Sequence, residues 1–207
     1  MDAKLRNTIL LALDDCDARS TGNMRDLALL FCGAKPAVYA LVSDPISAEL
    51  IEAASGAGFA LERWHDSVFG PPAVVAGEPA RAREIARLCR NLAANGPAEQ
   101  ERLGLLLGYP AASAYWYAYR RHEGLGSPRA WSDDERRFIM CAYPRDPAGL
   151  AQARAWTQRL LERFILAYGL EAMRRLPYVA YPEPEPTLHP DGRIRSIPAR
   201  SSLVYQG

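Results

Sequence analysis

The chain is short of several things at once, and each shortage removes a class of protein. No apolar run approaches the ~20 residues that a membrane-spanning helix needs. The first residues, Met1-Asp2-Ala3-Lys4-Leu5-Arg6, lack the long apolar stretch of a signal peptide, so a cytoplasmic location is expected. Charge of either sign is not in excess: the formal net charge is +1, which leaves no global field to attract nucleic acid or an anionic membrane. Any such contact has to be local. The four cysteines, Cys16, Cys32, Cys89 and Cys141, include no Cys-x-x-Cys pair, which argues against a zinc ribbon or a dense disulfide framework. Also missing are Gly-x-Gly-x-x-Gly, a Gly-Lys-Ser/Thr phosphate loop, a Gly-x-Ser-x-Gly elbow and His-Glu-x-x-His, so the common cofactor enzymes are disfavoured. The sequence names no cofactor and points to no metal centre.

What is present describes an ordinary globular chain, with 49% hydrophobic and 24% charged residues, and its 207 residues suffice for one domain with a sizeable core. Lys4 and Lys35 are the only lysines against many arginines, and alanine is abundant. That bias follows from GC-rich coding and warns against reading every arginine as selected for function.

Turn chemistry divides the chain. Two short helices are expected near 2–13 and 24–32, separated by the Asp14-Asp15-Cys16-Asp17 and Ser20-Thr21-Gly22-Asn23 clusters, with Gly33 ending the second. The acidic cluster lacks the glycine and terminal glutamate of a calcium loop and reads as a solvated turn. A buried strand over 37–42, a helix over 46–54 opened by Asp44-Pro45, and a strand over 59–64 form a β-α-β unit. Only eight residues then lead to a strand over 73–76, a gap too short for a parallel crossover, so antiparallel pairing is expected in a small mixed sheet. From about residue 79 the pattern is helical. Cys89 falls on an apolar helical stripe and reads as core, while Arg83, Arg87 and Arg90 lie on another face. Ser132-Asp133-Asp134-Glu135 is a capping box predicting a helix to about Cys141, and Asp146-Pro147 opens a long helix with the stripe Leu160, Leu161, Phe164, Ile165 and Tyr168, ended by Pro177. The proline-rich residues 177–207 read as an extended tail or an arm laid on a neighbouring subunit.

Chemistry-bearing residues gather in two places. At Gly108-Tyr109-Pro110 a helix stop meets a helix start, putting Tyr109 at a corner between two helices. In the second of these, Ala111, Tyr115, Tyr119 and His122 share a stripe. That stripe reads first as a buried amphipathic face. The functional alternative makes Tyr109, Tyr115, Tyr119 and His122 an aromatic wall for a flat or cationic ligand. A third reading makes 97–122 a helix-turn-helix, although Ala111, Ala112, Tyr115 and Trp116 cannot supply the bidentate hydrogen bonds that read base edges. The other place is His65-Asp66, directly after a strand, with Ser43 and Asp44 after the first strand of the same unit. These are also common loop and cap residues, and read first as structural; if the two strands are parallel and adjacent the four converge, and His65 oriented by Asp66 becomes an acid/base pair or a metal ligand.

The run Arg102-Leu103-Gly104-Leu105-Leu106-Leu107-Gly108-Tyr109-Pro110 resembles the hallmark of an uncharacterised family of small prokaryotic proteins. In that family Leu-Gly-Tyr-Pro is followed by an acidic residue and two adjacent cysteines, and a later cysteine-bearing segment is similar to 140–148 here. Where the paired cysteines would stand this chain has Ala112 and Ser113, and of the later group only Cys141. The resemblance therefore implies no thiolate metal site in this protein.

These readings converge on an α-rich α/β fold, with residues 1–176 as one domain (sheet region 37–77, helical region 79–176) and 177–207 as a tail. The expected function is that of a small-molecule-binding protein or an enzyme, of bacterial specialised metabolism, with a pocket between His65 and the aromatic helix. The alternative is a non-catalytic module, either a DNA-binding regulator or a protein-interaction subunit. The expected partner is a small-molecule ligand, with membranes excluded, nucleic acid disfavoured, and self-association through the tail allowed.

Overall fold

Helices in this protein start where proline allows and stop where glycine or a turn forces them to. The computed structural model describes residues 3–15, 21–42, 45–64, 72–91, 94–120, 131–139, 143, 146–176, 186–188 and 194–196. In chain order these form helices α1 (Ala3–Asp15) and α2 (Thr21–Phe31), strand β1 (Ala37–Leu41), helix α3 (Pro45–Gly56) and strands β2 (Ala60–Arg63) and β3 (Pro72–Ala76). Helices α4 (Pro79–Arg90), α5 (Pro97–Leu106), α6 (Ala111–Tyr119), α7 (Pro147–Tyr168) and α8 (Leu170–Arg175) follow, then strands β4 (Pro186–Leu188) and β5 (Ile194–Ser196). Four of the helices begin on a proline, where the missing N–H has no intrahelical partner to lose. Asp146 caps α7, its carboxylate accepting from the Gly149 N–H at 2.8 Å.

The sheet has the order β1-β3-β2, and both pairings are antiparallel. Three strands are therefore found as expected, but the sheet is not mixed. Strands β1 and β2 run in the same direction with β3 inserted between them, Val75 standing opposite both Val38 and Leu61. The short β2–β3 connection permits a hairpin, and β3, buried along its whole length, takes the central place that only an all-apolar strand tolerates.

Alternation along β3 then assigns the layers. Ala73 and Val75 face a core built with α1, α2, α3, α7 and α8, in which Ile9, Leu27, Ile51, Phe164 and Met173 are fully enclosed. Val74 and Ala76 face the opposite side, where Ala82, Ile85 and Leu88 of α4 and Leu106 of α5 cover the sheet. Cys89 is half-buried against this second cluster, and burial pushes its thiol up to about 12.

Two helical expectations change. The capping box forms, with Glu135 accepting from the Ser132 N–H at 2.8 Å and the Ser132 hydroxyl accepting from the Glu135 N–H at 3.3 Å, yet it opens only a 3-10 turn over Glu135–Arg137. Phe138 and Ile139 follow at once and are wholly buried, Phe138 edge-on to Phe164 at 5.4 Å, so the chain enters the core instead of continuing a surface helix. The long helix ends not at Pro177 but at Gly169, whose φ of 95° breaks α7 from α8. The strands β4 and β5 of the tail pair antiparallel, Thr187 opposite Arg195. Among the described residues, no helix is long and apolar enough to cross a membrane.

Candidate functional site

Two helix ends meet at one spot. The chain leaves α2 through Gly33 at φ 71° and α5 through Gly108 at φ 84°. Each exit is a Schellman turn. After α2 the Gly33 N–H donates to the Leu30 carbonyl at 2.9 Å and the Ala34 N–H to that of Leu29 at 2.8 Å. After α5 the Gly108 N–H donates to Leu105 and the Tyr109 N–H to Gly104, both at 3.0 Å. The turns touch: a Cβ at Gly108 would lie 2.9 Å from Cγ of Pro36 and closer still to its Cδ, so only glycine fits.

Side chains lock the corner. The Nζ of Lys35 lies 2.8 Å from the Asp26 carboxylate and 5.0 Å from the centre of the Tyr109 ring. The Lys35 side chain is 1% exposed and that of Asp26 19%, so this pair operates in a low-dielectric setting and resists screening. Tyr109 also packs edge-on to Trp156 at 5.6 Å, and the indole N–H of Trp156 donates to the Gly108 carbonyl at 2.9 Å. One residue of α7 thus holds the corner from the far side.

Between the Gly33–Ala34 turn, the Gly108 corner and α7 lies a cleft of about 300 Å³. From α7 it is lined by Trp156, Arg159, Leu160 and Arg163. A second depression of about 300 Å³ continues along α7 past Arg159 and Arg163 to Glu162 and Leu166. Arg159 and Arg163 are exposed and have no hydrogen-bond or ion-pair partner among the described residues. Next to the cleft, burial holds the Cys32 thiol above its ordinary range, with its own backbone hydrogen bonds and Arg163 pulling the other way.

Of the residues singled out from the sequence, Tyr109 sits at this corner, half-buried. Tyr115 and Tyr119 do not line the cleft; they stack on each other at 4.8 Å on the outer face of α6, 47% and 38% exposed. The stripe expected to be buried is therefore the exposed one. The inward face carries Ser113, Ala114, Trp116 and Ala118, because α6 crosses α5 so closely that a Cβ at Gly104 would lie 2.9 Å from that of Ala114. His65, Asp66, His122, Ser43, Asp44 and Cys141 lie outside the described residues. Since β3 separates β1 from β2, the strand ends that precede Ser43 and His65 are not neighbours in the sheet. Among the described residues, no group of three or more His, Cys, Asp or Glu could hold a metal ion.

No protein-family model, no curated protein and no solved structure matches this chain. The candidate site therefore stands on its own geometry. Sequence reasoning missed Lys35, Trp156, Arg159 and Arg163. The signal available was the glycine at each of two helix ends, which marks two sharp corners but not that they meet.

Proposed function

We propose that this protein binds a small molecule in the cleft between the Gly33 turn, the Gly108 corner and α7. The observation that carries this reading is the fixed frame around an open recess. Two Schellman turns in contact, a buried Lys35–Asp26 pair under Tyr109 and the Trp156–Gly108 hydrogen bond hold the walls in place before any ligand arrives. The recess is at the small end of the range of ligand pockets, which suits a fragment-sized molecule. The described residues that line it offer shape and positive charge, which supports a reading of binding.

The test is a ligand-detected NMR screen of the full chain with small aromatic and aliphatic acids, amines, amides and nucleosides, with duplex DNA as a separate arm. Ala34 lines the cleft at the edge of the core and is half-buried, so Ala34→Leu adds bulk to the cleft, with circular dichroism checking that the variant is folded. Binding of one chemical class that disappears in Ala34→Leu is the expected result. Ligands that bind equally well to that variant, or a response confined to duplex DNA, would overturn the reading.

A further inference from the structure

We infer that the group this cleft recognises is a carboxylate, held between the guanidinium groups of Arg159 and Arg163 and carried on an apolar body. This rests on the cleft being a binding site. Arg159 and Arg163 stand four residues apart on α7, a spacing that places their side chains next to each other on one helix face, and both line the cleft. Arg102 shows the fork such a group can make: it donates from Nε and a terminal nitrogen to the two oxygens of Glu84 at 3.0 and 3.1 Å. Arg159 and Arg163 have no such partner among the described residues.

The plain explanation is that these cations sit opposite the negative ends of two helices, α2 and α5, and need nothing more. The hydrogen bonds argue against its sufficiency. The carbonyls of Leu29, Leu30, Gly104 and Leu105 already accept from the turn N–H groups, and that of Gly108 accepts from Trp156. The helix ends therefore attract the two guanidinium groups without taking a hydrogen bond from either among the described residues, leaving the forks open. They also set the ligand's charge. Two positive groups, offset in part by the two helix ends and by Glu162 in the adjoining depression, leave at most about one positive charge, which matches a carboxylate better than a phosphate dianion.

The neighbouring surface indicates what carries the carboxylate. Trp156 and Leu160 line the cleft but are almost wholly buried, so the apolar surface beside the arginines is chiefly Leu166, 81% exposed, in the adjoining depression. The rise of α7 from residue 156 to 166 is about 15 Å, long enough for an aromatic or short aliphatic body. The one carboxylate on this path, Glu162, lines only the second depression and accepts from the Gln158 amide at 3.2 Å. It biases the anionic end of the ligand toward the Gly108 corner.

Isothermal titration of the full chain with benzoate, its neutral isostere benzamide, and phenyl phosphate tests this. Benzoate is expected to bind, with benzamide at least about tenfold weaker, the loss that one charge-assisted hydrogen-bonding partner represents. Arg159→Gln and Arg163→Gln are each expected to weaken benzoate about tenfold and leave benzamide unchanged, with Arg163→Lys intermediate because it keeps the charge but not the fork. Arg83→Gln, an exposed change on α4, serves as the control for charge alone, and circular dichroism checks that each variant is folded. Equal binding of benzoate and benzamide, lost in Ala34→Leu but indifferent to the arginine changes, would sink the carboxylate while leaving the cleft intact. Phenyl phosphate binding more tightly than benzoate would replace the ligand class. Benzoate binding that survives Ala34→Leu, or no binding of any probe, overturns both readings.

Discussion

The two glycines at the corner permit a controlled experiment, because they share a backbone conformation and differ in what surrounds them. An alanine forced into the left-handed region costs about 1–2 kcal/mol, and its lower unfolded-state entropy offsets about 0.4–1 kcal/mol, for a net of about 1 kcal/mol. At Gly33 (φ 71°) an added Cβ meets nothing within 4 Å, so Gly33→Ala carries that backbone cost alone. At Gly108 (φ 84°) the same methyl group drives into the Pro36 ring, which is closed and cannot rotate aside. Overpacking adds about 1–3 kcal/mol, so Gly108→Ala is expected to cost about 2–4 kcal/mol. For a chain of this size each kcal/mol moves Tm by about 2–4 °C, giving losses of about 2–4 °C for Gly33→Ala and about 4–16 °C for Gly108→Ala. Differential scanning calorimetry reads both. Pro36→Ala placed in the Gly108→Ala background should recover the packing part and leave the backbone part, a coupling visible in a double-mutant cycle. Equal shifts for the two glycine variants, or no recovery, would refute the account of the corner as two turns in contact.

Other perturbations have equally definite outcomes. Asp26→Ala takes the carboxylate away from an ammonium group whose side chain is 1% exposed and should cost on the order of 3 kcal/mol in urea unfolding, whereas Lys35→Met leaves a carboxylate that still reaches water and should cost less; the reverse order would contradict the burial assigned to Lys35. The Cys89 thiol titrates near its ordinary 9.0 when unfolded and at about 12 when folded, so above pH 9 the unfolded chain loses a proton that the native state keeps. Stability should accordingly be intact below pH 9 and fall by at most about 1.4 kcal/mol per pH unit above it, a slope that Cys89→Ala reduces. The hydroxyl of Tyr168 donates to the Ala28 carbonyl at 3.0 Å in the core, and Tyr168→Phe should cost only about 1 kcal/mol, measured by the same urea titration, because that carbonyl keeps the Cys32 N–H at 3.1 Å.

Local chemistry was readable in the sequence wherever a residue acts on its own neighbours. Pro147 after Asp146 and Gly108 before Pro110 set helix boundaries through their own backbone restrictions, and the structure follows them. Periodicity failed where packing depends on smallness. The stripe Ala111-Tyr115-Tyr119 looks like the buried face of α6 by its spacing, but the helix buries Ser113, Ala114, Trp116 and Ala118, with the small Ala114 at the close approach to Gly104. The capping box of Ser132 and Glu135 formed as written, yet the pull of Phe138 and Ile139 into the core outweighed continuation of the helix. The cleft was the least legible part. Lys35 meets Tyr109 across 74 positions, and Trp156 meets Gly108 across 48. No local pattern encodes such a meeting, since it is a property of the assembled layers.

The same long reach bears on how the protein is made. Tyr168 bonds Ala28 across 140 positions, Arg6 donates to the Ala167 carbonyl across 161, and the main core draws on α1 and α2 together with α7 and α8. During synthesis at about 5–20 residues per second, the apolar faces of the first two helices wait roughly 7–28 s for the segment that covers them. Ile9, Leu27 and their neighbours stay uncovered on the nascent chain for that interval, and substitutions that slow elongation between α2 and α7 should lower the soluble yield even when they leave the finished fold unchanged.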